Sequence, residues 1–161
     1  MNFRAKILSR EQLKTWREEL RRAGKKLVAT NGCFDLLHLG HVTYLEDARK
    51  RGDALIVGVN SDSSVRELKG PNRPVNHDSD RALVLAALET VDGVFIFSEI
   101  AATNFLALAQ PDFYIKGGDY TLETLNQEER RTVESNGGEI VIIPFVPGKS
   151  TTGILEKISR L

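Results

Sequence analysis

Two histidines three residues apart, His38 and His41, have the clearest capacity for chemistry in this chain. They follow a short apolar run at 26–31 and begin a stretch with helical character. A spacing of three places both imidazoles on one face of the first helical turn. Free backbone N–H groups and the helix dipole already favour anions there. The pair therefore predicts a site that stabilises phosphate charge, as in phosphoryl or nucleotidyl transfer.

One glycine precedes this pair and another lies within it. Gly32 permits close approach of the backbone to a ligand, and Gly40 leaves room between the histidines. Two other interpretations stay open from the residues alone. The histidines could serve only local capping, or they could join Cys33 as zinc ligands, although no second cysteine completes such a site.

Three further polar segments follow predicted strands or begin a helix. Lys69 and Arg73 lie in a loop at 68–75 and could reach phosphates, although a solvated loop would also explain them. The glycine-rich segment 116–120 suits a ribose or base pocket or, alternatively, a simple turn. The hydroxyl cluster 150–152 suits a triphosphate at a helix start or a plain N-cap.

Alternating apolar runs and amphipathic stretches predict the fold. Strands are expected at 26–31, 54–60, 93–97, 113–116 and 140–143. Helices are expected from an N-cap at Ser9 to residue 24, and at 39–51, 61–68, 81–89, 101–109, 127–135 and 151–158. This β-α alternation predicts an α/β fold with a doubly wound, five-stranded parallel sheet. In such a sheet the polar strand exits converge on one crevice beyond the carboxyl ends of the strands.

Composition restricts the class of protein. The chain has 161 residues, 41% hydrophobic and 27% charged, with 22 basic and 22 acidic side chains. One domain is expected, with residues 1–24 as a helical extension and 25–158 as the core. No overall basic field favours nucleic acid. A single cysteine, no membrane-length apolar run and no signal-like start predict a cytoplasmic protein.

No glycine-rich nucleotide motif of the common kinds is present. The chain lacks the P-loop pattern, of which 148–150 repeats only the tail. It also lacks the Gly-x-Gly-x-x-Gly fingerprint of dehydrogenases after the first strand. The phosphate site must therefore be of another type.

The run from Asn31 to His41, with its His-x-Gly-His hallmark, resembles the cytidylyltransferase-like nucleotidyltransferases. Stretches 30–41, 58–62, 68–75, 111–120 and 150–152 more closely resemble the adenylyltransferase domains of bifunctional ADP-heptose synthases, a likeness covering roughly 25–158. Leu39 stands where relatives often have proline, and Lys149 where some members have arginine. The resemblance implies a Rossmann-like nucleotidyltransferase fold.

The resemblance also implies roles for individual residues. Catalytic roles fall to His38, His41 and Lys69. Nucleotide binding falls to Asn31, Gly32, Cys33, Phe34, Lys116, Gly117, Asp119, Ser150, Thr151 and Thr152. Substrate binding falls to Asp35 and Arg73. No protein-held metal is expected, and Mg²⁺ arrives with ATP.

The implied activity is adenylyl transfer from ATP to D-glycero-D-manno-heptose 1-phosphate, which yields ADP-heptose for lipopolysaccharide precursors. A separate kinase is expected to supply the sugar phosphate, and a homodimer is plausible for the family. Two alternatives stay open: a related nucleotidyltransferase with another phosphate acceptor or CTP, and a non-catalytic nucleotide-binding module.

Overall fold

A computed structural model describes residues 2–118, 120–144 and 146–161. Its strands are β1 (Leu27–Gly32), β2 (Ala54–Asn60), β3 (Gly93–Phe97), β4 (Phe113–Gly117) and β5 (Glu139–Ile143). Its α-helices are α1 (Arg10–Arg22), α2 (Leu39–Arg49), α3 (Asp62–Lys69), α4 (Asp78–Ala86), α5 (Thr103–Ala109), α6 (Gln127–Ser135) and α7 (Thr151–Ile158). A short 3₁₀ helix, Phe3–Lys6, precedes α1.

The strands form one parallel sheet in the order β3-β2-β1-β4-β5. Successive side chains of the central strands point to opposite faces. From β2, Leu55 and Val57 join a core with α2 and α4, whereas Ile56 joins a core with α1, α5 and α6. Both faces are thus covered, which is why β2 is buried along its whole length. The predicted doubly wound five-stranded α/β sheet is confirmed.

Several boundaries follow local signals closely. The strands 54–60 and 93–97 and the helices 127–135 and 151–158 are found as predicted. At the start of α1, Ser9 Oγ accepts from the Gln12 N–H at 3.2 Å, and Gln12 Oε1 accepts from the Ser9 N–H at 2.8 Å. This reciprocal pair is a capping box.

Other boundaries depend on contacts distant in sequence. Helix α4 begins at Asp78, not at residue 81, because the Asp62 carboxylate accepts from the Asp78 N–H at 2.8 Å. Helix α5 begins at Thr103, after an Ala102 N–H that donates to Glu129 at 2.7 Å. Lys69 is the last residue of α3 rather than a loop residue, and Gly70 ends the helix with φ 97°. The first strand is displaced by one residue, and the second helix ends two residues early, at Arg49.

Within the described residues, the structure contains no helix that is long and apolar enough to cross a membrane.

Candidate active site

A cavity of about 660 Å³ lies at the carboxyl ends of the strands. The chain runs outward from β1 in two directions, to β2 and β3 on one side and to β4 and β5 on the other. The β1–β4 junction is therefore the switch point of the sheet, where doubly wound folds bind ligands.

The cavity brings the predicted residues together. Its lining includes Asn31, Gly32, Cys33, Phe34, Asp35, His38, His41, Lys69, Arg73, Lys116, Gly117, Ser150, Thr151 and Thr152. Asp119, also predicted to bind nucleotide, lies outside the described residues. Segments far apart in sequence thus form one surface.

The two histidines stack against each other at the start of α2. Their ring centroids lie 3.8 Å apart with an interplanar angle of 22°. His38 is the N-cap residue, yet its side chain makes no capping hydrogen bond. A Cβ on Gly40 would lie 3.0 Å from both the His38 ring and the Lys149 Cβ, which shows why glycine stands between the histidines. The structure therefore removes the capping interpretation for His38.

The Nδ1 atoms of His38 and His41 are buried, and neither has a hydrogen-bond partner among the described residues. Burial, together with neighbouring His38, lowers the pKa of His41 to about 4. Burial and the Lys149 charge also lower the pKa of His38. Both rings are therefore neutral near pH 7 without ligand, and a neutral imidazole has one N–H to donate.

The start of α7 forms the neighbouring surface. Ser150 is its N-cap and accepts from the Gly153 N–H at 3.0 Å. Thr151 Oγ1 donates to the Leu36 carbonyl at 3.3 Å, which joins α7 to the segment after β1. Together, His38, His41, Lys149, Ser150, Thr151 and Thr152 form a surface that we call the histidine wall.

A second part of the cavity wall comes from a hydrogen-bonded loop. The Asp35 carboxylate accepts from Arg73 Nε at 2.6 Å and from the backbone N–H groups of Val75 and Asn76 at 2.8–3.0 Å. Burial opposes ionisation of Asp35, but these donors outweigh it and hold its pKa below the usual range. We call residues 70–77, with Asp35 and Arg81, the anchored loop.

Buried Arg81 holds this loop against the ends of two strands. Its guanidinium donates to the carbonyls of Cys33, Asn60 and Asn76, and it pairs with Asp62 at 2.9 Å. Its side chain is 1% exposed. Arg81 thus ties the ends of β1 and β2 to the loop that follows α3. From the sequence alone, Asp78, Asp80 and Arg81 indicate only a capped and salt-bridged helix start.

A third group of polar residues lies between β4 and α6. Lys116 Nζ donates to Asn31 Oδ1 at 3.3 Å and lies 3.8 Å from the Glu129 carboxylate. The Tyr114 hydroxyl lies 2.6 Å from Asn31 Oδ1 and 2.9 Å from Glu129 Oε2, and its single proton can be donated to either oxygen. Nearby, the Tyr44 hydroxyl donates to the Ile115 carbonyl at 3.0 Å.

Asn60, the polar residue at the end of β2, lines the cavity, as expected for a strand exit. Sequence reasoning missed Glu129 and Tyr44, which also line it. Glu129 lies in the polar run 127–131, and only its spacing of four from buried Val133 suggests an inward position. Tyr44 carries no local signal, because core tyrosines are common.

The zinc alternative is not supported. Across 2–118, 120–144 and 146–161, no three His, Cys, Asp or Glu side chains are placed to hold a metal ion. Burial also raises the pKa of the Cys33 thiol, which disfavours the thiolate that a metal needs.

Comparison with known proteins identifies the family of this chain. A sequence model of the family described as cytidylyltransferase-like matches residues 29–156. This chain belongs to that family. The cytidylyltransferase-like assignment confirms the predicted nucleotidyltransferase class, and the match spans β1, α2, the anchored loop, β4 and the start of α7.

Two curated relatives are identical to this chain at about half of the aligned positions. The Bifunctional protein HldE of Syntrophotalea carbinolica is 48% identical over 158 residues, which are 98% of this chain and 32% of the relative. The protein of the same name from Geotalea uraniireducens is 55% identical over 135 residues, 84% of this chain and 27% of the relative. The chain thus spans about a third of the length of these relatives.

Solved structures agree with the fold. A lipopolysaccharide core biosynthesis protein from Thermoplasma volcanium is 27% identical with a TM-score of 0.63, covering 76% of this chain and 98% of that one. A pantoate-beta-alanine ligase from Francisella tularensis is 14% identical with a TM-score of 0.56, covering 96% and 78%. The ligase supports the fold alone.

Proposed function

We propose that this chain transfers the adenylyl group of ATP to D-glycero-D-manno-heptose 1-phosphate, forming ADP-heptose and pyrophosphate for lipopolysaccharide precursors. The observation that carries the proposal is the stacked, uncapped histidine pair in a cavity at the switch point of the sheet. The acceptor is supported by the motif resemblance to ADP-heptose synthases and by relatives about 50% identical.

The reaction needs no general base on the protein. A sugar phosphate has a second pKa of about 6, so it is mostly dianionic at pH 7. One of its oxygens attacks the α-phosphorus of ATP, the bond from that phosphorus to the bridging oxygen breaks, and pyrophosphate leaves. Catalysis is then positioning for in-line attack plus stabilisation of developing charge.

The cavity offers donors and cations for that task. His38 and His41 bind the α- and β-phosphates, and the hydroxyls of Thr151 and Thr152 contact the leaving pyrophosphate. Lys69 and Lys149 line the same cavity and neutralise negative charge. Arg73 lies on the acceptor side, oriented by its ion pair with Asp35.

ATP-dependent nucleotidyltransferases generally need a divalent metal, and we propose that Mg²⁺ enters as the Mg–ATP complex. Magnesium keeps several waters and binds through few carboxylates. That behaviour suits a cavity whose residues form no metal cluster within the described ranges.

The resemblance to ADP-heptose synthases extends the proposal to partners and location. We propose that a heptose kinase supplies the sugar phosphate, that the reaction takes place in the cytoplasm where ATP is present, and that the chain forms a homodimer.

A panel assay of pyrophosphate release tests the function. Heptose 1-phosphate, glycerol 3-phosphate, ethanolamine phosphate and pantetheine phosphate are each paired with ATP and with CTP. We expect release chiefly with heptose 1-phosphate and ATP. Release with another pair would identify a related nucleotidyltransferase, and release with none would support a non-catalytic nucleotide-binding module.

A further inference from the structure

A buried carboxylate beside a phosphate-binding cavity needs a physical reason, because it repels anionic ligands. Glu129 is such a group: it lines the cavity, and its side chain is 7% exposed. Ionised groups that deeply buried are normally paired and hydrogen-bonded. The partners of Glu129 therefore indicate what it does.

Both carboxylate oxygens of Glu129 have defined partners. Oε1 accepts from the Ala102 N–H at 2.7 Å, and Oε2 accepts from the Tyr114 hydroxyl at 2.9 Å. Oε2 also lies 3.8 Å from Lys116 Nζ. The carboxylate is thus fixed by α5 and β4 in a position that faces the lysine.

Lys116 is confined on several sides. Its ammonium lies 5.5 Å from the centre of the Tyr114 ring and 5.3 Å from that of Tyr120. Asn31 Oδ1 accepts from it at 3.3 Å. Among the described residues, Glu129 is the one charged group that pairs with this lysine.

We propose that Glu129 is a positioning residue that keeps the Lys116 ammonium charged and fixed at the cavity wall, ready for an anionic group of the substrates. The assignment rests on the proposed function for the identity of those substrates. The electrostatics agree with the geometry: burial lowers the pKa of Lys116, and the Glu129 charge opposes that shift.

The variant Glu129→Gln tests this role. Glutamine keeps the shape and can still accept from the Ala102 N–H, but it removes the charge beside Lys116. The exposed neighbour Glu128→Gln is the matched control. In ligand-free protein, the titration midpoint of Lys116, followed by carbon-13 NMR at Cε, should move to lower pH in Glu129→Gln and stay unchanged in Glu128→Gln.

Activity provides a second readout. The alkaline limb of kcat/KM should move to lower pH in Glu129→Gln, and a displacement of about one pH unit corresponds to a loss of about tenfold on that limb. Adding Lys116→Arg should return the limb towards that of the parent, because arginine stays protonated.

A folded Glu129→Gln variant with an unchanged Lys116 midpoint would overturn the inference. If that variant does not fold, Glu129→Asp carries the same test, since it keeps the charge but draws it back from Lys116. A smaller displacement of the midpoint supports the inference, and no displacement overturns it. The titration uses no substrate, so failure of the pyrophosphate panel would leave this result intact.

Discussion

The anchored loop and the histidine wall differ in whether their buried polar groups have hydrogen-bond partners. In the anchored loop, the Asp35 carboxylate and the Arg81 guanidinium are satisfied by partners within the chain. In the histidine wall, two imidazole nitrogens are buried without a hydrogen-bond partner among the described residues. An unsatisfied buried group costs free energy. We propose that the anchored loop builds the site, whereas the histidine wall binds the substrate.

The largest expected effect concerns the anchored loop. Arg81→Met would remove the guanidinium that donates to the carbonyls of Cys33 and Asn60 and pairs with the Asp62 carboxylate. Breaking a buried ion pair from one side typically costs about 3–5 kcal/mol. Urea unfolding should show a loss of that size, whereas the exposed control Arg66→Met should stay near the parent. Equal stability of both variants would mean that the loop does not depend on Arg81.

Substitutions in the histidine wall should change kcat rather than the stability of the fold. His41→Ala should lower kcat by about 10²–10³, as is typical when one positioned donor to developing charge is lost. The exposed His77 provides the matched control, because its ring bonds to Asp62 outside the cavity. Steady-state kinetics and thermal melting of both variants separate the effects. Near-normal turnover in a folded His41→Ala would contradict the assignment.

A smaller effect concerns pH. The pKa of His41 is about 4 in the folded protein and about 6.5 in the unfolded chain. The unfolded state therefore binds more protons between these values, and the His41 contribution to stability is lost as pH falls from about 6.5 to 4. Urea unfolding across this range should show a shallower pH dependence for His41→Gln than for the parent. The same slope in both proteins would place His41 in a less buried environment.

Local patterns predicted the fold and much of the site for identifiable reasons. The apolar run of β2, the capping box at Ser9 and the His38–His41 spacing are short-range signals. Because parallel strands all end at one edge, the strand exits could be placed around one crevice before any contact was known.

The roles of Arg81 and Glu129 could not be predicted from local sequence patterns. Arg81 appeared to stabilise only its own helix start, and Glu129 lies in a run of charged residues. Their partners Cys33, Asn60 and Tyr114 lie in strands or directly after one, 15–48 positions away in sequence. Such contacts have no local periodicity, so only the folded chain shows that both side chains are buried.

The most direct test of the histidine wall is nitrogen-15 NMR of the three imidazoles during titration with a non-hydrolysable ATP analogue and Mg²⁺. If His38 and His41 bind the nucleotide phosphates, their ring signals move together and saturate at one concentration, while the His77 signals stay in place. Saturable binding of the analogue that leaves the His38 and His41 signals unmoved would contradict the central claim.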